Sequence, residues 1–288
     1  MGPHRVSRDL VETVVRRDRL VVAGGLALIT SLAWLYLLTG AGMDMGDMDM
    51  GNMDMGDMDM GDMDMGNMDM SGMDMAGMHM AWDARYAVIM FLMWWIMMIA
   101  MMMPSAAPMI LLFAAVNRRS RERDAPWVPT TFFATGYLIA WAGFSLGATA
   151  IHWSLDRSGL MTPAMASSAD WLGAVLLIAA GLYQLTPLKH ACLRHCRSPV
   201  AFVTAHWQPG RAGALRMGLW HGAFCVACCW VVMGLLFYGG VMSFTWIVGL
   251  SIFVLLEKLL PAGHGFGYVT GAGFIAWGLW LLATKLLA

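Results

Sequence analysis

The sequence predicts an all-α fold: a polytopic membrane helix bundle of about seven transmembrane helices with its N-terminus in the cytoplasm. Three observations predict it. Hydrophobic residues make up 59% of the 288 and charged residues only 13%, about half the charge of an ordinary soluble domain. Seven apolar runs come close to the ~20 residues a helix needs to cross a bilayer. The basic residues, finally, alternate from loop to loop as the positive-inside rule requires. The formal net charge of −1 hides two populations. Ten of the nineteen acidic residues lie between Asp44 and Asp74, leaving 18 basic against nine acidic residues elsewhere. Lipid is the expected surrounding, and no nucleic-acid partner is expected.

The first run, 20–38, is too long for the apolar stretch of a signal peptide and lacks a clear small-residue cleavage site. The second, 86–116, exceeds a bilayer thickness and contains Pro104 and Pro108, which predict a kink. Runs at 131–153, 171–188, 215–238, 243–260 and 268–287 follow, with Gly239 and Gly240 predicting a tight hairpin between the fifth and sixth. A cytoplasmic N-terminus puts Arg5, Arg8, Arg16, Arg17, Arg19, Arg118, Arg119, Arg121, Arg123, Lys189, Arg194, Arg197, Arg211, Arg216 and Lys258 inside. Only Arg85, Arg157 and Lys285 then fall outside. The chain divides into a basic tail with the first helix (1–38), an external Met/Asp-rich segment (39–85) and a six-helix core (86–288).

The external segment runs a five-residue unit, Met-Asp-Met-Gly-Asp/Asn, eight times, degrading towards Met78-His79-Met80, and holds sixteen of the thirty methionines. A period of five belongs to neither helix nor strand, so a tether without a packed core is expected. Thioether sulfur is a soft, uncharged donor suited to Cu(I) or Ag(I) and poorly suited to Mg²⁺ or Ca²⁺. Met43 with Met45, Met48 with Met50, and Met78 with Met80 around His79 each set two sulfurs close together, and glycine lets neighbouring pairs complete a shell. The aspartates concentrate cations. Unlike cysteine, methionine is not lost to disulfides in an oxidising compartment. Repeat slippage in a tolerant loop explains the repetition but not the choice of methionine.

Within the second run, Met93, Met97 and Met101 recur at i, i+4 and i+8, which lines sulfurs along one stripe. Core packing by flexible methionine is the plainer reading of such a stripe. In the fifth run, His221, Cys225, Cys228 and Cys229 share about 100° of one helical face at the 3.6-residue period. They form a soft-metal set, a redox dithiol or small packing residues, and an imidazole in a span needs a partner. Cys192 and Cys196, with His190 and His195 beside them, form a donor cluster on the expected inner loop, without the paired Cys-x₂-Cys spacing of structural zinc modules. Glu257 and Lys258 are expected to snorkel as a pair at the inner interface, and His264 falls in the turn that follows.

The stretch 97–109, the run Tyr183, Gln184, Leu185, Thr186, Pro187, Leu188 and Lys189 with Cys192, Cys196 and Pro199 beyond it, His221 with Cys225, Cys228, Cys229 and Trp230, and Glu257-Lys258 together resemble a bacterial family of predicted metal-binding integral membrane proteins. The resemblance runs from about Tyr86 to the C-terminus and implies metal binding in a bacterial inner (plasma) membrane, with the first helix and the repeat as additions. A looser similarity, in ligand logic only, is to the eukaryotic copper uptake proteins. The expected function is capture of Cu(I) outside and its transport or delivery through Met93, Met97 and Met101 towards Cys225, Cys228, Cys229 and His221. Silver and zinc are the other candidate ions, and a copper-handling membrane protein is the candidate partner. A membrane redox enzyme using the Cys/His cluster and a sequestering assembly factor are the alternatives. No nucleotide-binding loop appears, which argues against primary pumping. Removing residues 43–80 is expected to lower bound Cu(I) by about four or five ions per chain, sixteen thioethers being shared three or four to an ion; elemental mass spectrometry of purified protein checks this.

Overall fold

A computed structural model describes residues 3–39, 82–121, 130–162, 165–260 and 263–287. They form ten helices: α1 (Pro3–Leu38), α2 (Ala84–Arg121), α3 (Thr130–Arg157), α4 (Asp170–Gln184), α5 (Pro187–Arg197), α6 (Pro199–His206), α7 (Gly210–Gly234), α8 (Leu236–Gly239), α9 (Phe244–Leu259) and α10 (Gly263–Leu287). Among the described residues there is no β-strand, only an isolated bridge between Met161 and Ser167 in the α3–α4 connection. Met43, Met45, Met48, Met50, Met78, His79 and Met80 lie outside the described residues.

Five helices are long and apolar enough to cross a membrane: Leu20–Leu38, Ala84–Asn117, Thr130–Arg157, Gly210–Gly239 and Gly265–Lys285. The fourth expected run departs from a simple span. Its helix stops at Gln184, and the chain turns by 67° into α5. The local chemistry accounts for the break. Pro187 opens α5 at a position where its missing N–H costs nothing, and the Thr186 hydroxyl caps the helix by accepting from the Lys189 N–H at 3.3 Å. The sixth expected run yields only 16 residues of helix in α9, short of a bilayer crossing. It ends as Leu260 turns extended (ψ 130°) ahead of Pro261, which disfavours helical backbone in the residue before it. The expected inner loop is itself helical, as α5 and α6. Pro104 and Pro108 both lie inside α2, which continues through them as one helix. At the expected hairpin, Gly240 takes φ +94°, a conformation open to glycine and costly for a side chain.

Three side-chain contacts fix α2 antiparallel to α3. Trp82 Nε1 donates to Asp156 Oδ2 at 2.6 Å, Trp95 Nε1 to the Leu138 carbonyl at 3.0 Å, and Tyr137 Oη to the Met102 carbonyl at 3.3 Å. Against α3, α7 runs parallel in close backbone contact. A Cβ on Gly218 would strike Phe133 O, one on Gly136 would strike Leu215 O, and one on Gly222 would meet Ala140 and Tyr137. Small residues at such spacing let helices approach where apolar surroundings supply no hydrophobic drive. A second clamp joins α4 to α10 through Gly181 and Gly278, whose added Cβ atoms would overlap Ile275 and Ile178. The outward faces of α1 and α10 carry exposed Leu28, Leu32, Leu35, Val269, Leu279 and Trp280.

Gly218→Leu is expected to cost about 1–3 kcal/mol by overpacking the α3–α7 seam, read as a lower unfolding midpoint in mixed micelles. Gly24→Ala, where an added Cβ meets nothing within 4 Å, leaves that midpoint unchanged or slightly raised, since alanine is the better helix former.

Candidate metal centre

The registers above place two donor stations at opposite ends of the α2 methionines. One is at the start of α2. The Trp82 ring lies edge-on to His152, with centroids 5.8 Å apart. The His152 side chain is buried and its Nδ1 has no hydrogen-bond partner. Between this station and Met102, the side chains of Met90, Met93, Met97 and Met98 are fully buried and Met101 is 2% exposed. The Met93, Met97 and Met101 stripe therefore lies inside the bundle rather than on its outer surface.

The second station is built around Cys225, 1% exposed. Lys258 Nζ lies 2.9 Å from Cys225 Sγ and 2.9 Å from Ser105 Oγ. Tyr137 Oη lies 3.2 Å from the same sulfur. Because the Met102 carbonyl can only accept, the tyrosine proton points to it, and the phenol oxygen is left to accept from the Cys225 thiol. Should the thiol lose its proton, the phenol hydrogen can turn towards sulfur instead. His221, one turn before Cys225 on α7, is 2% exposed with an unpartnered Nδ1. Its ring packs among Phe133, Tyr137 and Phe202 at centroid distances of 6.1, 5.8 and 5.4 Å. Cys228 and Cys229 are both buried and direct their thiols at the Cys225 carbonyl, at 3.1 and 2.9 Å. Cys196 on α5 brings its sulfur to 4.0 Å from that of Cys228. Cys192 sits one turn earlier on α5, also buried.

The shared face of His221, Cys225, Cys228 and Cys229 is thus turned inward as one surface. The sulfurs nevertheless do not form a cage: among the described residues no three His, Cys, Asp or Glu side chains converge as metal ligands. A closed zinc site takes four. Two thiolates at a time suit Cu(I), for which soft sulfur selects.

Two sequence expectations are corrected here. Glu257 and Lys258 do not snorkel, being 1% and 8% exposed. The register of α9 turns them to different partners inside the bundle. Lys189 Nζ lies 2.9 Å from each Glu257 oxygen and donates to Oε2, while Lys258 goes to Cys225. The donors Cys192 and Cys196, in turn, are not on an open loop, because α5 folds back against α7. Sequence reasoning missed Tyr137 and His152 altogether, and the contacts of Lys258 with sulfur, of Ser105 with Lys258 and of Lys189 with Glu257. The available signal was polarity, since ionisable groups inside apolar helices mark sites. Gln184 belongs with them: it is fully buried, and neither its Nε2 nor its Oε1 has a partner.

Charge balance decides what this station can hold. Glu257 is engaged by Lys189, so among the described residues the Lys258 ammonium bonds to the neutral Ser105 and the ionisable Cys225, with Cys228, Cys196 and Tyr137 as its next ionisable neighbours. A Cu(I) ion with two thiolates carries one net negative charge, which Lys258 offsets at contact distance; a lone Cu(I) with one thiolate leaves the ammonium unmatched in an apolar interior. A model of the PpoB2 family, described as copper chaperone, matches residues 91–281. The chain belongs to the PpoB2 copper-chaperone family. The match begins within α2 and ends within α10, so His152, the methionines from Met93 onward and the whole Cys225 station fall inside it, whereas α1, the repeat and Trp82 do not. No curated protein and no solved structure matches the chain. Membership of the copper-chaperone family agrees with the sulfur-rich interior and makes copper the metal to test first.

Breaking the buried pair by Lys189→Met is expected to cost about 3–5 kcal/mol, and the double variant Lys189→Met/Glu257→Leu to recover most of it. Chemical unfolding of the four proteins checks the cycle, and additive losses refute the pairing.

Proposed function

We propose that this chain is a membrane copper chaperone. It gathers Cu(I) with the external Met/Asp repeat, passes it along Met93, Met97 and Met101, and holds it between thiols at Cys225, Cys228 and Cys196 for transport or delivery to a partner. The observation that carries this reading is the Tyr137 bridge, which joins the Met102 backbone of α2 to the Cys225 sulfur of α7. It brings the inner end of the methionine row against the first thiol. The family supports copper, and five long apolar helices with exposed hydrophobic faces support a bilayer. The basic-residue pattern supports an orientation with the repeat outside, and the resemblance drawn from the sequence supports a bacterial inner (plasma) membrane with residues 86–288 as the copper-handling core. Transfer needs no deep well: an ion moves between soft sites of similar strength by ligand exchange, as ions move through multi-site channels. The 4.0 Å approach of Cys196 to Cys228 is the observation that favours the alternative, a redox role for the same thiols.

Proteoliposomes separate the readings. The chaperone moves external Cu(I) inward or yields it to an acceptor chelator, and Cys225→Ser or Met97→Leu slows that step. Lys258→Met, which alters only a neighbour of the ligand, weakens Cu(I) binding by roughly 10–100-fold. Turnover of a redox dye without copper movement identifies the redox alternative, and binding with neither identifies sequestration. A core that takes up zinc and no copper overturns the proposal.

A further inference from the structure

The thiols do not end at an apolar wall. Beyond Cys196, at the end of the bundle away from Trp82, α5 and α6 bring two imidazoles together. His195 and His206 are both half-buried, with ring centroids 6.4 Å apart and planes at 60°. His195 Nδ1 lies 2.9 Å from the Ala191 carbonyl, and His206 Nδ1 lies 3.1 Å from the Phe202 carbonyl. A carbonyl only accepts, so each Nδ1 carries the proton and each neutral ring keeps its lone pair on Nε2. A backbone carbonyl behind the opposite nitrogen is the arrangement that orients metal-binding histidines.

The rings are also held in place. His195 stacks on Phe224 at 4.3 Å with planes 7° apart, and His206 stacks on Phe202 at 4.9 Å and 23°. Phe202 and Phe224 meet edge-on at 6.4 Å, which closes a four-ring box, and Trp220 lies 5.7 Å from His206 on its outer side. With metal–nitrogen bonds near 2.0 Å, two imidazoles on opposite sides of one ion have centroids about 6 Å apart. The centroid spacing of 6.4 Å leaves room for one ion between two imidazoles on opposite sides of it and exceeds what a tetrahedral pair needs. Adjacent in sequence to His195 is Cys196, the thiol beside Cys228.

We infer that His195 and His206 form a two-coordinate site for a monovalent soft cation, Cu(I) or Ag(I), at which the ion leaves the thiols for an acceptor. The inference rests on the copper reading above and deepens it. Exchange of an anionic thiolate pair for neutral imidazoles leaves the ion positively charged and weakly held at a half-exposed position, as suits hand-over.

Residue-resolved carbethoxylation of the full chain in detergent tests it, with Ag(I) as probe. Modification of His195 and His206 is expected to slow together, by about tenfold once Ag(I) exceeds its dissociation constant about tenfold. The same slowing is expected in Cys225→Ser, whereas His206→Ala restores the reactivity of His195. Shielding from alkylation by Ag(I), read in the same digests at Cys225 in the unmodified chain and in His206→Ala and at Cys228 in Cys225→Ser, reports the thiol station and the integrity of each variant. Unchanged reactivity of both histidines in the unmodified chain, with Cys225 shielded, overturns the site and leaves the thiol reading intact. Protection of His195 that survives His206→Ala also overturns it, since the two rings then do not share an ion.

Discussion

The Lys258 ammonium beside the Cys225 sulfur is the constraint around which the interior is arranged. A charge in an apolar bundle is tolerated only with partners, and its requirement fixes several helices at once. Ser105 on α2, Tyr137 on α3 and Cys225 on α7 all come to one lysine on α9, directly or through sulfur. Glu257, the adjacent carboxylate, is turned away and neutralised by Lys189 of α5. Two neighbouring residues of α9 thereby tie down four other helices, and one cation is left for the thiol. An aliphatic residue at 258 would pack more easily; lysine is accounted for by what it does to sulfur and to the charge of a bound ion.

Methionine and cysteine divide the work by their chemistry. Thioethers bind soft ions without a proton exchange and without a charge, which suits passage. Thiols bind by releasing a proton, which suits holding and requires a place for the proton and for the charge. Around Cys225 the charge is met by the Lys258 ammonium, and the Tyr137 hydroxyl can turn its hydrogen towards a thiolate. Cys229, like Cys228, gives its thiol to the Cys225 carbonyl of its own helix.

Much of the fold was legible because apolar length and glycine placement are local properties. The long helices, the turn at Gly240 and the common face of His221, Cys225 and Cys228 all follow from spacing. The remainder depends on register between helices, which spacing does not carry. Glu257 and Lys258 read as an interfacial pair because, in one dimension, a charge near the end of an apolar run has water close by. Only the shortness of α9 and its packing against α2 and α5 turn them inward. The inner loop was legible as rich in donors but not as two helices, although Thr186-Pro187 and Ser198-Pro199 are both helix-start signals. His206 drew no notice because its partner, His195, lies eleven positions away on a different short helix.

The glycine contacts have a mechanical consequence. In α3 with α7, and in α4 with α10, backbones approach so closely that neither pair can slide without collision. Each behaves as a rigid block. Compliance is left to the seam between the blocks, where α5 crosses and where the Lys189–Glu257 latch resides. On the proposed copper reading, an ion would be admitted by relative displacement of two stiff halves rather than by local loosening of either.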